Sequence, residues 1–426
     1  MKYIKLNTIF FIAVLILAGC EAEIDQYTPD SGEADLSSYV AIGNSLTAGY
    51  TDGDLFRSGQ ENSLGMIIAG QLMHAGLENF KQPMMKDENG FGNRLVLAQV
   101  DGSPLPVPRP GTPDPGNFEN IFQQEGPFHN MGVPGAKTSH LLFEGYGSLN
   151  PYYGRFASDP VSGSVIKDAL ALQPSFFTLW TGSNDILGFA LGGGEGEGIT
   201  PTEEFSAALQ TIVAQLTANG ARGAVANIAD ITRIPFFSAI PYDALALMSQ
   251  GQVDMLNAGY AEAPHIEFSF GRNPIVVADQ SHPAGIRQIE RGELVLLTAM
   301  QGMTANGWGS SVPLAPEYYL NLEQVSMIKE STGDYNSVIE QLTGSAGLAH
   351  VDVASLLRAA ETGIYFDAIA FNTQFVSGGL FSLDGVHLTA RGYAIVANEF
   401  IAEINRAYNA SIPKVAVGNF PGIVFP

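Results

Sequence analysis

Residues 38–46 read Ser38-Tyr39-Val40-Ala41-Ile42-Gly43-Asn44-Ser45-Leu46, a short apolar run followed by glycine and two small polar residues. A run of this length, closed by a turn signal, fits a strand buried on both faces, expected over residues 38–42. A serine placed just after such a strand has its hydroxyl bared above the sheet, and the positive end of the following helix points there. Taken alone, Gly43-Asn44-Ser45 is also ordinary turn chemistry. The G-x-S-x-G nucleophile elbow is not matched, because Thr47 stands where that pattern needs glycine.

Outward from this turn the chain alternates short apolar runs with helical periodicity. Residues 62–75 place Leu64, Ile67, Ile68 and Leu72 on one helix face. A helix over 164–172 is closed by Pro174 before a strand at 176–180. Thr200, Pro201 and Glu203 read as N-cap, N1 and N3 of a capping box. The stripe Phe205, Leu209, Ile212, Val213 and Leu216 follows, and Gly220 ends it. Strands are expected at 224–228 and 349–353, and helices at 335–342 and 390–408. Strand and helix in alternation argue for a parallel sheet with helices on both faces. Two stretches break the rhythm: 104–116, dense in proline, reads as an irregular excursion within an insertion at about 84–126. Residues 236–320 are apolar but aperiodic, with Met248, Met255, Met300 and Met303, and read as a second insertion. It is expected either to wall the pocket or to add core away from it.

The chain has 426 residues, 46% hydrophobic and 15% charged, with 20 Lys+Arg against 43 Asp+Glu and a net charge of −23. This apolar content can bury a large core, which excludes a disordered chain. The acidic excess excludes a nucleic-acid partner, since a basic stripe supplies that affinity. A single cysteine excludes an intrachain disulfide and Cys-based zinc or iron–sulfur sites. That cysteine follows Lys2, Lys5 and an apolar run from Ile9 to Ala18 that is too short to span a bilayer. Leu17-Ala18-Gly19-Cys20 resembles a bacterial lipobox. It implies a signal peptide over 1–19, lipidation of Cys20, and an acidic tether over 20–36 ahead of a body at 37–426. The expected location is the cell envelope, as an exported lipoprotein held by its acyl chains, with the outer membrane the expected membrane and its periplasmic or surface face open.

Three further segments carry candidate chemistry. Asp384-Gly385-Val386-His387 puts a carboxylate three residues before a histidine, close enough to fix its tautomer and leave Nε2 free as a base. Alone, it reads first as an aspartate capping the helix beside a surface histidine. Asn130–Thr138 contains the Gly-rich turn Gly132-Val133-Pro134-Gly135, which can bare a backbone N–H. Gly182-Ser183-Asn184-Asp185 places Asn184 just past a strand, and Asp185 reads as a helix cap. A backbone N–H with an Asn amide is a sufficient donor set for an oxyanion. No His, Cys, Asp or Glu spacing suggests a metal site, and no cofactor is expected.

In this order the segments resemble the SGNH hydrolases, or GDSL lipases and esterases, whose four signature residues map onto Ser45, Gly135, Asn184 and His387. The resemblance implies an α/β fold, a flavodoxin-like three-layer α/β/α sandwich with a five-stranded parallel sheet, here carrying large insertions. It implies Ser45 as nucleophile, His387 as base and Asp384 as its orienter, with the oxyanion held by the Ser45 and Gly135 N–H groups and the Asn184 side chain. Asn44 departs from the aspartate of the name-giving motif. The 199 positions between Asp185 and Asp384 are long for the fold. The function implied is a serine carboxylic-ester hydrolase acting through an acyl-enzyme on a small-molecule or lipid ester. Its activity is expected to rise with pH as His387 loses its proton. The methionine-bearing insertion is expected to receive an acyl chain. A carbohydrate O-acetyl esterase of the same fold and a non-catalytic acidic surface lipoprotein are the rivals. The run Gly192-Gly193-Gly194-Glu195-Gly196-Glu197-Gly198 lacks the Lys and Ser/Thr of a phosphate loop and is expected to be a mobile loop beside Asn184.

Overall fold

Five short runs, of which β1 and β3 are rich in β-branched and aromatic residues, form one parallel sheet: β1 Tyr39–Gly43, β2 Asn130–Gly132, β3 Phe176–Trp180, β4 Arg222–Ala226 and β5 Ala349–Val351. The computed structural model describes residues 27–100 and 102–426. The strand order is β2-β1-β3-β4-β5, the doubly wound order in which ligands bind beyond the carboxyl ends of the strands. Every residue of β1 and β3 is buried, as helices on both faces require. The flanking helices are α1 Leu64–Met73, α2 Val165–Ala171, α3 Asn184–Leu191, α4 Thr202–Thr217, α5 Leu322–Ala346, α6 Val353–Ala360 and α7 Ala390–Tyr408. Helices α1 and α7 pack together on one face, while α4 and α5 pack together on the other. Among the described residues no helix is long and apolar enough to cross a membrane.

Most expected elements lie within a few residues of their predicted bounds, and the departures have local causes. Thr200 does not cap α4, which begins at Thr202 with Pro201 as its cap residue. The backbone of Thr200 is tied elsewhere: its N–H donates to the Asp185 carbonyl at 2.9 Å, and its carbonyl accepts from the Tyr335 hydroxyl. Strand β4 starts two residues earlier than expected, and Val353 opens α6 instead of ending β5. Helix α5 runs for 25 residues, far beyond the expected 335–342. Its buried stripe is Val325, Ile328, Thr332, Tyr335, Ile339 and Thr343, and the two threonines interrupt the apolar signal. They are accommodated because each hydroxyl donates to a carbonyl one turn back.

The proline-dense stretch is irregular only over 109–114, and its first part is a strand. Residues Leu95–Val100 and Ser103–Pro108 form an antiparallel hairpin. Pro104, Pro106 and Pro108 share one parity, so each missing N–H falls on the side facing away from the partner strand. The alternate residues carry the ladder, which Arg109 N–H continues to the Arg94 carbonyl at 2.7 Å. Residues 236–320 build two small cores of their own, one around Ile275, Val277 and Leu314, the other around Leu247, Phe268 and Val276. The signal peptide over 1–19 and Cys20 lie outside the described residues. Of the tether expected over 20–36, the part from Tyr27 lies against the body: Ala34 and Leu36 are buried, and Glu33 N–H donates to the Tyr408 carbonyl at 2.7 Å.

Candidate active site

Three adjacent strands bring three of the predicted segments to one edge. Gly43 stands level with Gly132 on one side and Trp180 on the other, so the turns leaving β1, β2 and β3 emerge side by side. Gly43 is needed for closeness, since a Cβ there would lie 2.4 Å from the Trp180 carbonyl oxygen. Ser45 is the first residue of a short helix, Ser45–Ala48, capped by the Asn44 side chain, which accepts from Leu46 N–H at 3.0 Å. Asn44 thus fixes the turn that aims Ser45.

The fourth segment arrives just before α7. The Ser45 Oγ lies 2.9 Å from His387 Nε2, and His387 Nδ1 lies 2.9 Å from Asp384 Oδ2. An ionised carboxylate only accepts, so Nδ1 carries the proton and Nε2 is free to accept from the serine. Asp384 is surrounded by donors: Val386 N–H and His387 N–H at 2.8 Å and Ser382 Oγ at 3.0 Å reach Oδ1, while Gly53 N–H at 2.8 Å reaches Oδ2. Burial by itself would raise the Asp384 carboxyl. The facing His387 and these hydrogen bonds overcome it and hold the group well below the usual carboxylate range. The Tyr50 ring lies against His387, with centroids 4.5 Å apart.

Gly53 belongs to a two-residue turn that the sequence reading missed. Thr51 and Asp54 exchange backbone hydrogen bonds of 3.0 and 3.1 Å across Asp52 and Gly53, which both have positive φ, 50° and 81°. This is the Asp-Gly turn of mirror-image type. Besides Gly53 N–H on Asp384, Asp52 N–H donates to Ser382 Oγ at 3.0 Å, and Asp52 Oδ1 accepts from Leu383 N–H at 3.1 Å. Burial pushes the Asp52 carboxyl up to about 6; the Asp384 charge adds to this, against the Leu383 N–H, Arg94 and His387.

On the other side, Gly135 has φ +78°, and a Cβ there would meet nothing closer than 4.0 Å. Conformation, not space, favours glycine at this turn. Asn184 Nδ2 donates to the Ala136 carbonyl at 2.9 Å, leaving its second amide hydrogen. Among the described residues neither Ser45 N–H nor Gly135 N–H has an acceptor. Asp185 does not cap α3 as expected, since Ser183 is the cap residue and no side chain caps the helix; instead its Oδ2 accepts from Thr138 N–H at 2.9 Å and Thr138 Oγ1 at 3.0 Å, tying the Gly135 turn to Asn184. Among the described residues its buried Oδ1 accepts no hydrogen bond, and burial pushes the carboxyl up against the Thr138 bonds, the Thr200 side chain and Lys137.

The cleft beside Ser45 is a narrow slot of about 50 Å³, walled by Leu46, Trp180, Leu187, Ile234, Phe381 and Val386. The methionines expected to receive an acyl chain do not reach it. Met248 and Met255 are exposed, and Met300 and Met303 line a separate cavity with Trp308. The Gly192–Gly198 run is anchored by Gln324 Nε2 donating to the Gly193 carbonyl at 2.9 Å and by Lys137 on Glu197 at 3.2 Å. Gly193 lies so close to residues 316–317 that a Cβ would fall 2.3 Å from the Pro316 carbonyl. Residues 192–194 are therefore packed, while 195–198 are exposed.

A family model described as GDSL-like lipase/acylhydrolase matches residues 39–400. No curated protein matches the chain. Among solved structures, a variant of the acetylxylan esterase of Geobacillus stearothermophilus is 12% identical, covering 89% of this chain and 96% of its own, with a TM-score of 0.37. A family 3 carbohydrate esterase of Clostridium thermocellum is 14% identical over 87% and 96%, at 0.33. A lipase/acylhydrolase of Enterococcus faecalis is 12% identical over 88% and 98%, at 0.34.

Proposed function

The chain belongs to the GDSL-like lipase/acylhydrolase family and is an ester-bond hydrolase, and from that premise we propose that Ser45, His387 and Asp384 are its catalytic triad. The observation that carries the proposal is the continuous hydrogen-bonded line from Ser45 Oγ through both ring nitrogens to Asp384. His387 takes the serine proton as Oγ attacks the ester carbonyl. The C–O bond to the alcohol then breaks, and the alkoxide leaves with that proton. Water enters by the reverse path: His387 deprotonates it, hydroxide adds to the acyl-enzyme, and Ser45 is released protonated with the carboxylic acid. The developing oxyanion is held by Ser45 N–H, Gly135 N–H and the free hydrogen of Asn184 Nδ2.

The slot supports a short acyl group. A buried water occupies about 10–15 Å³ on the same measure, so about 50 Å³ holds three or four, the size of an acetyl to butyryl chain. This favours the O-acetyl esterase reading over hydrolysis of long-chain lipids. The test is hydrolysis of p-nitrophenyl esters from acetyl to palmitoyl by the protein lacking residues 1–19 and by Ser45→Ala. Expected are a fall from the short to the long esters and a loss of about 10⁵-fold in the variant. A palmitoyl preference refutes the acyl reading, and an active Ser45→Ala refutes the triad.

The lipobox reading extends the proposal: Cys20 is lipidated and the chain is held at the cell envelope, in the outer membrane. Tyr27 hydrogen-bonds Ser411 just beyond the end of α7, near the amino ends of the strands and opposite Ser45. A tether entering there turns the site away from the anchoring membrane. Labelled palmitate incorporated by the wild type and lost in Cys20→Ser is the expected result; equal labelling refutes it.

A further inference from the structure

A cavity of about 350 Å³ opens beside the slot, where the chain leaves β4 and passes between α5 and α6. The two spaces abut, sharing Ala229, Ile234, Leu357 and Phe381 as a common wall. Three cations line the larger one, in a chain whose net charge is −23. Arg233 is engaged by the two carboxylates of the cavity, Glu361 at 3.2 Å and Asp230 at 3.7 Å. Lys329, on α5, and Arg358, on α6, form no ion pair among the described residues. Both stand exposed on their helices at the edge of the cavity, and neither takes part in the catalytic machinery. An acid surface without a local positive field would repel an anionic substrate, and two unpaired cations at one cavity reverse that locally.

We infer that this cavity receives the alcohol portion of the substrate and that this portion carries an anionic group, carboxylate or phosphate, held between Lys329 and Arg358. The inference rests on the Ser45 reading above, because it sets the acyl group in the slot and the leaving alcohol next door. The ester is then read at both ends: the acyl side by the size of the slot, the alcohol side by charge. Arg358 offers a planar fork suited to either anion, and Lys329 offers a point charge.

The experiment compares three acetyl esters: 4-acetoxyphenylacetate, its uncharged methyl ester, and 4-acetoxybenzyl phosphate. In each charged ester a methylene separates the anion from the ring, so leaving-group reactivity is nearly constant. At low ionic strength kcat/KM is expected to be about fivefold to tenfold higher for at least one anionic ester than for the methyl ester. Which of the two leads tells carboxylate from phosphate. Lys329→Ala/Arg358→Ala is expected to abolish the preference and leave hydrolysis of the methyl ester as in the wild type. A wild type indifferent to charge overturns the inference, as does a preference that survives the double variant. Binding of 4-hydroxyphenylacetate and 4-hydroxybenzyl phosphate to Ser45→Ala, with and without the two substitutions, separates this from failure of the triad. If no ester is cleaved, the triad reading falls. Anion binding lost with the two cations then still supports the cavity, and binding unchanged by their loss overturns it.

Discussion

The two sides of the site are each fixed by one buried carboxylate, and the two carboxylates are treated differently. Asp384 receives four donors besides the His387 ring, enough to keep it ionised although burial opposes this. Asp185 receives Thr138 through one oxygen only, its other oxygen accepts no hydrogen bond among the described residues, and burial pushes its carboxyl up. The difference follows from what each must do. A charge that stabilises an imidazolium has to persist, whereas a clasp between two turns needs only an acceptor. The acid side is therefore built around a charge and the oxyanion side around shape.

That contrast is broken most directly at Asp384. Asp384→Asn keeps the shape but offers Nδ1 a neutral partner that can hold the wrong tautomer, so kcat is expected to fall by about 10⁴-fold. A fall of under tenfold would mean that the charge is dispensable and the two sides are alike. Asn184→Ala removes one oxyanion donor and is expected to lower kcat by about 10² to 10³-fold with KM little changed; a rise in KM alone would place Asn184 in ground-state binding. Asp185→Ala leaves Thr138 N–H buried and unpaired, at about 1–3 kcal/mol. Thermal unfolding should show that loss together with roughly tenfold lower kcat, while Asp185→Asn, which keeps an acceptor, should restore most of both. If Asn is no better than Ala, the charge matters on this side too.

The reach of the sequence differed along the same line. Ser45 alone reads as turn chemistry, Asp384 and His387 as a helix cap beside a surface histidine, and Asn184 and Gly135 as loops; the resemblance is what joined all five as a candidate site. The supports were not legible at all. Asp185 looks like a helix cap because its partner Thr138 is 47 residues away, and the turn at Asp52 grips a loop some 331 residues later. Proline density at 104–116 signalled a loop where alternate spacing allows an edge strand. Threonines at 332 and 343 hid most of α5 because a hydroxyl satisfied within its own helix is as buried as a methyl. Long-range hydrogen bonds leave no periodic trace, so the candidate segments could be read in order and their clamps could not.

Asp52 sharpens the comparison at its smallest expected effect. It stands behind Asp384 on the acid side, yet it has the raised carboxyl of the oxyanion side, at about 6 against an ordinary 3.8. The folded state therefore holds this proton more tightly than the unfolded chain. Between those two values the folded state binds more protons, so the contribution to stability is full below about 4 and is lost as pH rises through about 6. At neutral pH the buried charge costs about 1–3 kcal/mol. Asp52→Asn removes the charge, keeps an oxygen for Leu383 N–H, and places at φ +50° a residue that tolerates the left-handed region. Unfolding at pH 8 should show the variant more stable by about that amount, and at pH 4 no more stable than the wild type. An equal gain at both pH values would mean that the Asp52 carboxyl holds its proton no more tightly in the folded protein than in the unfolded chain. Its kcat is expected to stay within about tenfold of the wild type, since Asp384 and not Asp52 faces His387. A loss approaching that of Asp384→Asn would make the acid side a pair of carboxylates acting together.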